Sequence, residues 1–339
     1  MKIAVDAMGG DKAPEVVIEG TAEALELYPF MDIVLVGHEQ RISHLLKHHG
    51  ITNHPRLRLV HAEQAIAMNE PSMSAVRGKK NSSMTICAEL VQKGEADAVV
   101  SAGHTGAAVA ATTFRMKLLP GVERAGIAAI MPSTKGHFVF IDAGANVDCK
   151  PIHLAQFAIM GEIFAKSMGV HRPKVGLLSI GEEDVKGNDL TKEAFKMLST
   201  MPINFIGNVE GKLLYERVAD VVVCDGFVGN IVLKSSESLA KAISFWIKKA
   251  FTKNTLRQAS AILAKNAFKE LKEIADYEEY GGAPLLGVNG VCIIGHGSSS
   301  PKAIKNAIRV AGEIVKFKVN EHITARLAEC GIAVKGHGN

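Results

Sequence analysis

Val291-Cys-Ile-Ile-Gly-His-Gly-Ser-Ser-Ser-Pro-Lys302 is the stretch whose reading decides the fold. Val291 to Ile294 is an apolar run of strand length, and Ser300-Pro301 reads as the N-cap and first residue of a helix. Gly295-His296-Gly297-Ser298-Ser299 makes a small-residue turn between them. A strand, a tight turn and a helix start form the anion-binding geometry of α/β proteins, because free N–H groups and the positive dipole end face one point. The stretch nearly spells G-x-G-x-x-G, but Ser300 stands where the third glycine belongs. About 20 residues on, where a ribose-binding acid should end the next strand, the pattern is still helical. It therefore reads as a phosphate site rather than a dinucleotide site. The plainer alternative is a turn that needs glycine only for tightness.

Working outward, the first half alternates strand and helix. Ile3–Val5 reads as a strand, Pro14 to Leu27 as a helix, Asp32–Val36 as a strand and Gln40–His48 as a helix. Leu57–Val60 and Ala98–Val100 are further strands, with a helix capped by Ser82 between them. This spacing predicts a parallel sheet covered on both faces. Ile127–Met131 and Phe138–Ile141, joined through Pro132 to Gly136, read as an antiparallel pair, and Pro151 opens a helix to about Met168. Val175–Ile180, Asn204–Gly207 and Val221–Cys224 are the later strands, and a terminal helix is expected from Pro301 to about Cys330. No linker of biased composition interrupts residues 1–339, so one α/β catalytic domain is expected, with a helical excursion at about 238–280 that shows no strand signal.

Composition narrows the function. A net charge of +4 without aromatic-rich basic motifs argues against nucleic acid as a partner. Cys87, Cys149, Cys224, Cys292 and Cys330 are an odd, widely spaced set with no C-x-x-C, which predicts a reduced cytoplasmic setting and no metal. The chain enters a strand at Lys2, so no signal peptide is expected, and no apolar run is long enough to span a bilayer. Neither a P-loop nor a G-x-S-x-G elbow occurs. No cofactor is expected.

Four strand ends are alike in their chemistry. They are Ser101-Ala-Gly-His-Thr-Gly106, Asp142-Ala-Gly-Ala-Asn146, Asp225-Gly-Phe-Val-Gly-Asn230 leading to Lys234, and the 295–299 turn. Together they predict one cleft lined by backbone N–H groups and short donors. Gly103, Thr105, Gly106, Gly295, His296, Gly297, Ser298 and Ser299 are the candidate phosphate binders. His104, Asn230 and Lys234 are candidates for contact with phosphate or a reacting oxyanion. Asp142, Asn146 and Asp225 are expected to orient these groups or hold turns, since a free carboxylate repels phosphate. For His104 and His296 a structural and a catalytic role both stay open. Between Lys241 and Lys272 eight Lys and Arg face one acid, Glu270, around the apolar Trp246. Trp246, Lys248, Lys249, Lys253 and Arg257 are the candidate docking surface for an acidic carrier protein or a membrane. An ordinary solvated helical pair is the alternative.

These motifs, with Val5-Asp-Ala-Met-Gly-Gly-Asp11 and Gly281-Gly-Ala-Pro-Leu-Leu-Gly287, resemble the bacterial phosphate acyltransferases, from residue 1 to about 330. The resemblance implies a Rossmann-like αβα sandwich similar to phosphotransacetylases and isopropylmalate-type dehydrogenases. It implies reversible acyl transfer from acyl carrier protein to inorganic phosphate, giving acyl phosphate for phospholipid synthesis. A homodimer, a cytoplasmic location with membrane association, and a membrane glycerol-3-phosphate acyltransferase that takes the product are implied as well. The rival readings are a short-chain phosphotransacetylase, a nicotinamide-dependent dehydrogenase and a non-enzymatic lipid- or carrier-binding scaffold.

Overall fold

The computed structural model describes residues 1–67, 69–275 and 277–332. The side chain of Lys272, counted in the basic segment, and the tail 333–339, counted in the expected domain, lie outside the described residues. Eleven strands among the described residues form one sheet. In chain order they are β1 (Lys2–Asp6), β2 (Asp32–Gly37), β3 (Leu57–His61), β4 (Ala98–Ser101), β5 (Gly126–Ser133) and β6 (Gly136–Ile141). Then come β7 (Val175–Ser179), β8 (Phe205–Glu210), β9 (Val221–Val223), β10 (Ala283–Leu286) and β11 (Val291–Ile294). Across the sheet the order is β3-β2-β1-β4-β11-β10-β5-β6-β9-β7-β8.

Pairing directions divide the sheet. β3, β2, β1, β4 and β11 are parallel neighbours. The steps β11 to β10, β10 to β5 and β5 to β6 are all antiparallel. β6, β9, β7 and β8 are parallel again. Three reversals leave the second parallel group running opposite to the first. β10, a four-residue strand with Pro284 inside it that the sequence pattern does not announce, makes the first two reversals, which cancel; the third, between β5 and β6, sets the second group against the first.

Both faces of the sheet are buried, so successive strand residues enter different cores. Ile3, Val5, Val139 and Ile141 belong to one core, and Ala4, Val99, Phe138 and Phe140 to the other. The first face is covered by α1 (Glu15–Leu27), α2 (Glu39–His48), α6 (Pro151–Ser167), α7 (Asp189–Thr200), α11 (Pro301–Phe317) and α12 (Val319–Glu329). Over the second lie α4 (Ser83–Gln92) and α5 (Thr105–Met116), with the short α3 (Ser72–Gly78) against α5. Gly20 on α1 lets α11 come close: a Cβ there would stand 2.5 Å from the Pro301 carbonyl oxygen.

Two helix boundaries differ from the sequence expectation. The terminal helix is two helices, because Lys318 adopts the left-handed conformation (φ 57°) between them, with no Gly or Pro to mark the break. The excursion does not begin at residue 238: a single helix, α8, runs from Gly226 to Phe251 and is 26 residues long. α9 (Thr255–Leu263) and α10 (Lys265–Ala275) follow it. Asp225 sets the start by accepting the N–H groups of Phe227 and Val228 at 3.0 and 2.9 Å. Only Gly226 and Gly229 of α8 are buried, so the helix leaves the body along most of its length.

Candidate active site

The four strand ends do not lie along one sheet edge, a correction that follows from the three reversals. The β4 and β11 ends form one group and the β6 and β9 ends another, and α8 connects them.

In the first group Ser300 caps α11 by accepting the Ala303 N–H at 3.3 Å. The turn before it is self-bonded. Ser299 N–H donates to the His296 carbonyl at 2.9 Å, and Gly295 N–H donates to the Ser101 carbonyl at 2.8 Å. The Ser298 N–H approaches His296 Nδ1 at 3.2 Å, and Gly103 N–H donates to Ser101 Oγ at 3.1 Å. Gly295, Ser299 and Gly103 therefore have their N–H groups committed inside the fold and do not supply the phosphate donors expected of them.

The start of α5 is different. His104 caps it through Nδ1, which accepts the Ala107 N–H at 3.1 Å. The N–H groups of Thr105 and Gly106, in the first turn, have no intrahelical acceptor by the geometry of a helix start. The cap also fixes the His104 tautomer. An accepting Nδ1 carries no proton, so the neutral ring holds its proton on Nε2 as a donor.

In the second group the buried Asp142 carboxylate gathers a whole turn. It accepts from the N–H groups of Ile127, Gly144, Ala145 and Asn146, and from Asn146 Nδ2, at 2.8 to 3.0 Å. Burial pushes its carboxyl above the usual range, against the lowering by these bonds. Asn146 also donates to the Ala125 carbonyl at 2.7 Å. Gly226 N–H reaches the Asn146 carbonyl at 2.8 Å. Asn230 lies against Gly144, whose φ of 137° requires glycine.

From there α8 carries a polar stripe. Asn230, Lys234, Glu237 and Lys241 follow at intervals of four, three and four, so they share one face. Lys234 is half exposed and pairs with Glu237 at 2.9 Å. This stripe faces the His296 turn. Burial first, and then Lys234, hold the His296 ring below its ordinary pKa; Lys241 also lowers it, while Glu237 and Asp11 raise it. Lys234 thus belongs to the same field as the 295–299 turn, although Asn230, one turn earlier, belongs to the 142–146 turn. Beside the stripe an open groove is lined by Lys234, Ser235, Ser238, Leu239 and Ala242.

The docking candidates fall further out. Trp246 is about 18 Å beyond Lys234 along the helix axis at 1.5 Å per residue. It is 59% exposed. Lys248 and Lys249 are in the last turn of α8, Lys253 is in the link, and Arg257 is on α9. Leu256, Ile262 and Leu263 on α9 are also exposed.

Sequence reasoning missed the 6–11 loop as part of the site. Asp6 accepts from Ser101 Oγ at 2.7 Å, and Asp11 N–H donates to the Gly297 carbonyl at 2.8 Å. The signal was present in Val5-Asp-Ala-Met-Gly-Gly-Asp11, but its partners are far away in the chain. The cysteines add no nucleophile here: burial pushes the Cys292 thiol up to about 12.

A mixed αβα sheet with an exposed helix start at its inner strand ends defines the phosphotransacetylase-like class of α/β folds. The chain is similar to a phosphotransacetylase from Streptococcus pyogenes, with TM-score 0.64 and 20% identity, covering 93% of this chain and 94% of that one. It is also similar to a 4-hydroxythreonine-4-phosphate dehydrogenase from Klebsiella pneumoniae, with TM-score 0.53 and 14% identity, covering 93% and 99%. These likenesses establish the expected fold.

The chain belongs to the fatty acid synthesis protein family, whose model matches residues 1–322. A phosphate acyltransferase of Nitratiruptor sp. is 50% identical over 97% of this chain and 98% of its own length. One of Pelotomaculum thermopropionicum is 49% identical over 100% and 98%. Membership makes the chain an acyltransferase. No helix among the described residues is long and apolar enough to cross a membrane.

Proposed function

We propose that this chain transfers a fatty acyl group from acyl carrier protein to inorganic phosphate, reversibly, and so supplies acyl phosphate to phosphatidic acid synthesis. The observation that carries the reading is the α8 stripe: it sets Lys234 in the field of the His296 turn while Asn230 stays on the 142–146 turn. A cation and short donors beside a helix start suit a reaction between two species that need positioning more than activation.

Phosphate is already an anionic nucleophile at neutral pH. One of its oxygens attacks the thioester carbonyl, a C–O bond forms, and the tetrahedral oxyanion collapses with loss of the C–S bond. The leaving thiolate has a parent pKa of about 8.5 and takes its proton from solvent. No Ser-His or Cys-His nucleophile is needed. Thr105 and Gly106 N–H groups hold the phosphate at the α5 start, and Lys234 balances its charge. His104 Nε2–H and the Asn230 amide stabilise the oxyanion. Asp142, Asn146 and Asp225 hold the backbone that presents them.

The cationic arm of α8 and α9 receives the acidic carrier protein, and residues 1–339 act as one α/β unit within a homodimer. Exposure of Trp246, Leu256, Ile262 and Leu263 favours a second use of the same arm, a peripheral membrane contact near a glycerol-3-phosphate acyltransferase that takes the product. The test compares phosphate-dependent acyl phosphate formation from long-chain acyl carrier protein and from acetyl-CoA. Preference for acetyl-CoA sinks the reading in favour of a short-chain phosphotransacetylase. No thioester cleavage with either donor favours a binding scaffold.

A further inference from the structure

Three loops at the inner edge of the first parallel group meet on one side chain that the transfer chemistry does not itself require. Asp6 ends β1 and is 4% exposed. Its Oδ2 accepts the Ser101 hydroxyl at 2.7 Å, and its Oδ1 accepts the Met8 N–H at 3.2 Å. Because the Ser101 hydroxyl points its proton at Asp6, its lone pairs turn to the Gly103 N–H, 3.1 Å away. The Ser101 carbonyl accepts Gly295 N–H, and the Gly297 carbonyl accepts Asp11 N–H, each at 2.8 Å. The loops of β1, β4 and β11 are tied in series.

The packing leaves no slack in this chain of bonds. A Cβ at Gly9 would stand 2.6 Å from Asp6 Oδ2 and 2.8 Å from Gly103 N. A Cβ at Gly10 would stand 3.2 Å from the Gly297 carbonyl. An acceptor with two oxygens suits this point, since the Ser101 hydroxyl and the Met8 N–H each donate to one of them. Burial, the largest influence, raises the Asp6 carboxyl above its ordinary range against those donors.

We propose that Asp6 is a positioning residue for phosphate: acting through Ser101, it fixes the 101–106 turn so that the first N–H groups of α5 meet the anion. The proposal rests on the reading that phosphate binds at the α5 start.

The test uses the full chain with Asp6→Asn, Ser101→Ala and the double variant. Initial rates are measured against inorganic phosphate at saturating acyl donor, and against donor at saturating phosphate. Each single change is expected to raise the phosphate KM roughly tenfold, the effect of one well-placed hydrogen bond. The donor KM should stay within about twofold, because the carrier protein is held by the arm of α8 and α9 and His104 meets the donor's oxygen only as the oxyanion forms. The double variant should be no worse than the worse single variant, since both break one relay. Donor and phosphate KM rising together, or full additivity, would make Asp6 a general structural residue and overturn the proposal. Should Asp6→Asn fail to fold, Ser101→Ala decides alone: an unchanged phosphate KM in that variant defeats the proposal. A wild-type chain without any phosphate-dependent rate overturns the phosphate reading instead, so the two failures are distinct.

Discussion

Gly229 of α8 lies directly on the Asp142 carbonyl: a Cβ built on Gly229 would come within 1.8 Å of that oxygen. The contact fixes the take-off of α8 from the sheet, and with it the aim of Asn230 and Lys234. Two effects of Gly229→Ala oppose each other. Helix propensity favours alanine by about 1 kcal/mol. Overpacking against a backbone atom, which cannot swing aside, costs about 1–3 kcal/mol. The steric term is expected to win, so the variant should show a lower urea midpoint and reduced turnover. Equal or greater stability would mean that α8 is not seated on this turn.

The Asp142 carboxylate should matter to folding before it matters to chemistry. Asp142→Ala strands five donors, most of them backbone N–H groups, and each buried orphan costs about 1–3 kcal/mol. Water entering the gap recovers part of this, so a loss of about 3 kcal/mol or more is expected. Asp142→Asn keeps one accepting oxygen and should fall between. Equilibrium unfolding in urea reads both. A wild-type midpoint for Asp142→Ala would remove Asp142 from its place at the centre of the turn.

These contacts show where the sequence was legible. The apolar runs and turn residues were enough to locate β1, β2, β4 and β11 and the cap at Ser300, since period and capping are local properties. Strand order is not local. β10 is four residues long and contains Pro284, and its two antiparallel pairings cancel, so the antiparallel β5–β6 pair is what leaves the β6 and β9 ends opposite to those of β4 and β11. The β5–β6 pair is legible as antiparallel through its turn at Pro132 to Gly136, but its place in the sheet beside β10 is not local. The break at Lys318 was hidden for another reason: a non-glycine residue takes the left-handed conformation there. Asp6 was visible as a motif residue, but its role needed Ser101, 95 positions away.

His104 offers a separation of cap from donor. Asn is a good N-cap, so His104→Asn should keep the bond to Ala107 and lose only the Nε2–H donor. His104→Ala loses both, with the cap worth about 1 kcal/mol. The expected pattern is full stability with weakened turnover for the Asn variant, and lowered stability as well for the Ala variant. Full turnover by both at low phosphate would return His104 to a purely structural cap.

Lys234 should be readable through His296. Its charge helps hold the His296 ring below the ordinary imidazole pKa, after burial. Removing it by Lys234→Ala should raise that pKa and weaken catalysis while the fold persists. The linkage has a definite sign. With a folded pKa below the unfolded one, the unfolded chain binds the proton more tightly, so wild-type stability declines as pH falls from about 6.5 toward the folded value. Lys234→Ala should soften that decline. Imidazole proton shifts followed by NMR across pH 5 to 8, a range of about three units that spans histidine titration, check the shift directly. A ring that titrates identically in the variant would place Lys234 outside the His296 field.

The arm tests the carrier reading with a built-in probe. Trp246 is the only tryptophan in the chain and is exposed, so its emission reports what covers α8. Adding acidic acyl carrier protein should shift that emission to the blue, and the shift should weaken with salt over the range where the Debye length falls from about 10 to 3 Å. Replacing Lys248, Lys249 and Lys253 with Glu reverses three charges without touching the stripe at Asn230 and Lys234. The triple variant should raise the KM for long-chain acyl carrier protein about tenfold or more, while phosphate KM stays unchanged. Anionic vesicles provide the parallel arm: a blue shift with vesicles and none with carrier protein assigns the surface to the membrane. No shift with either, in wild type, returns these lysines to solvent.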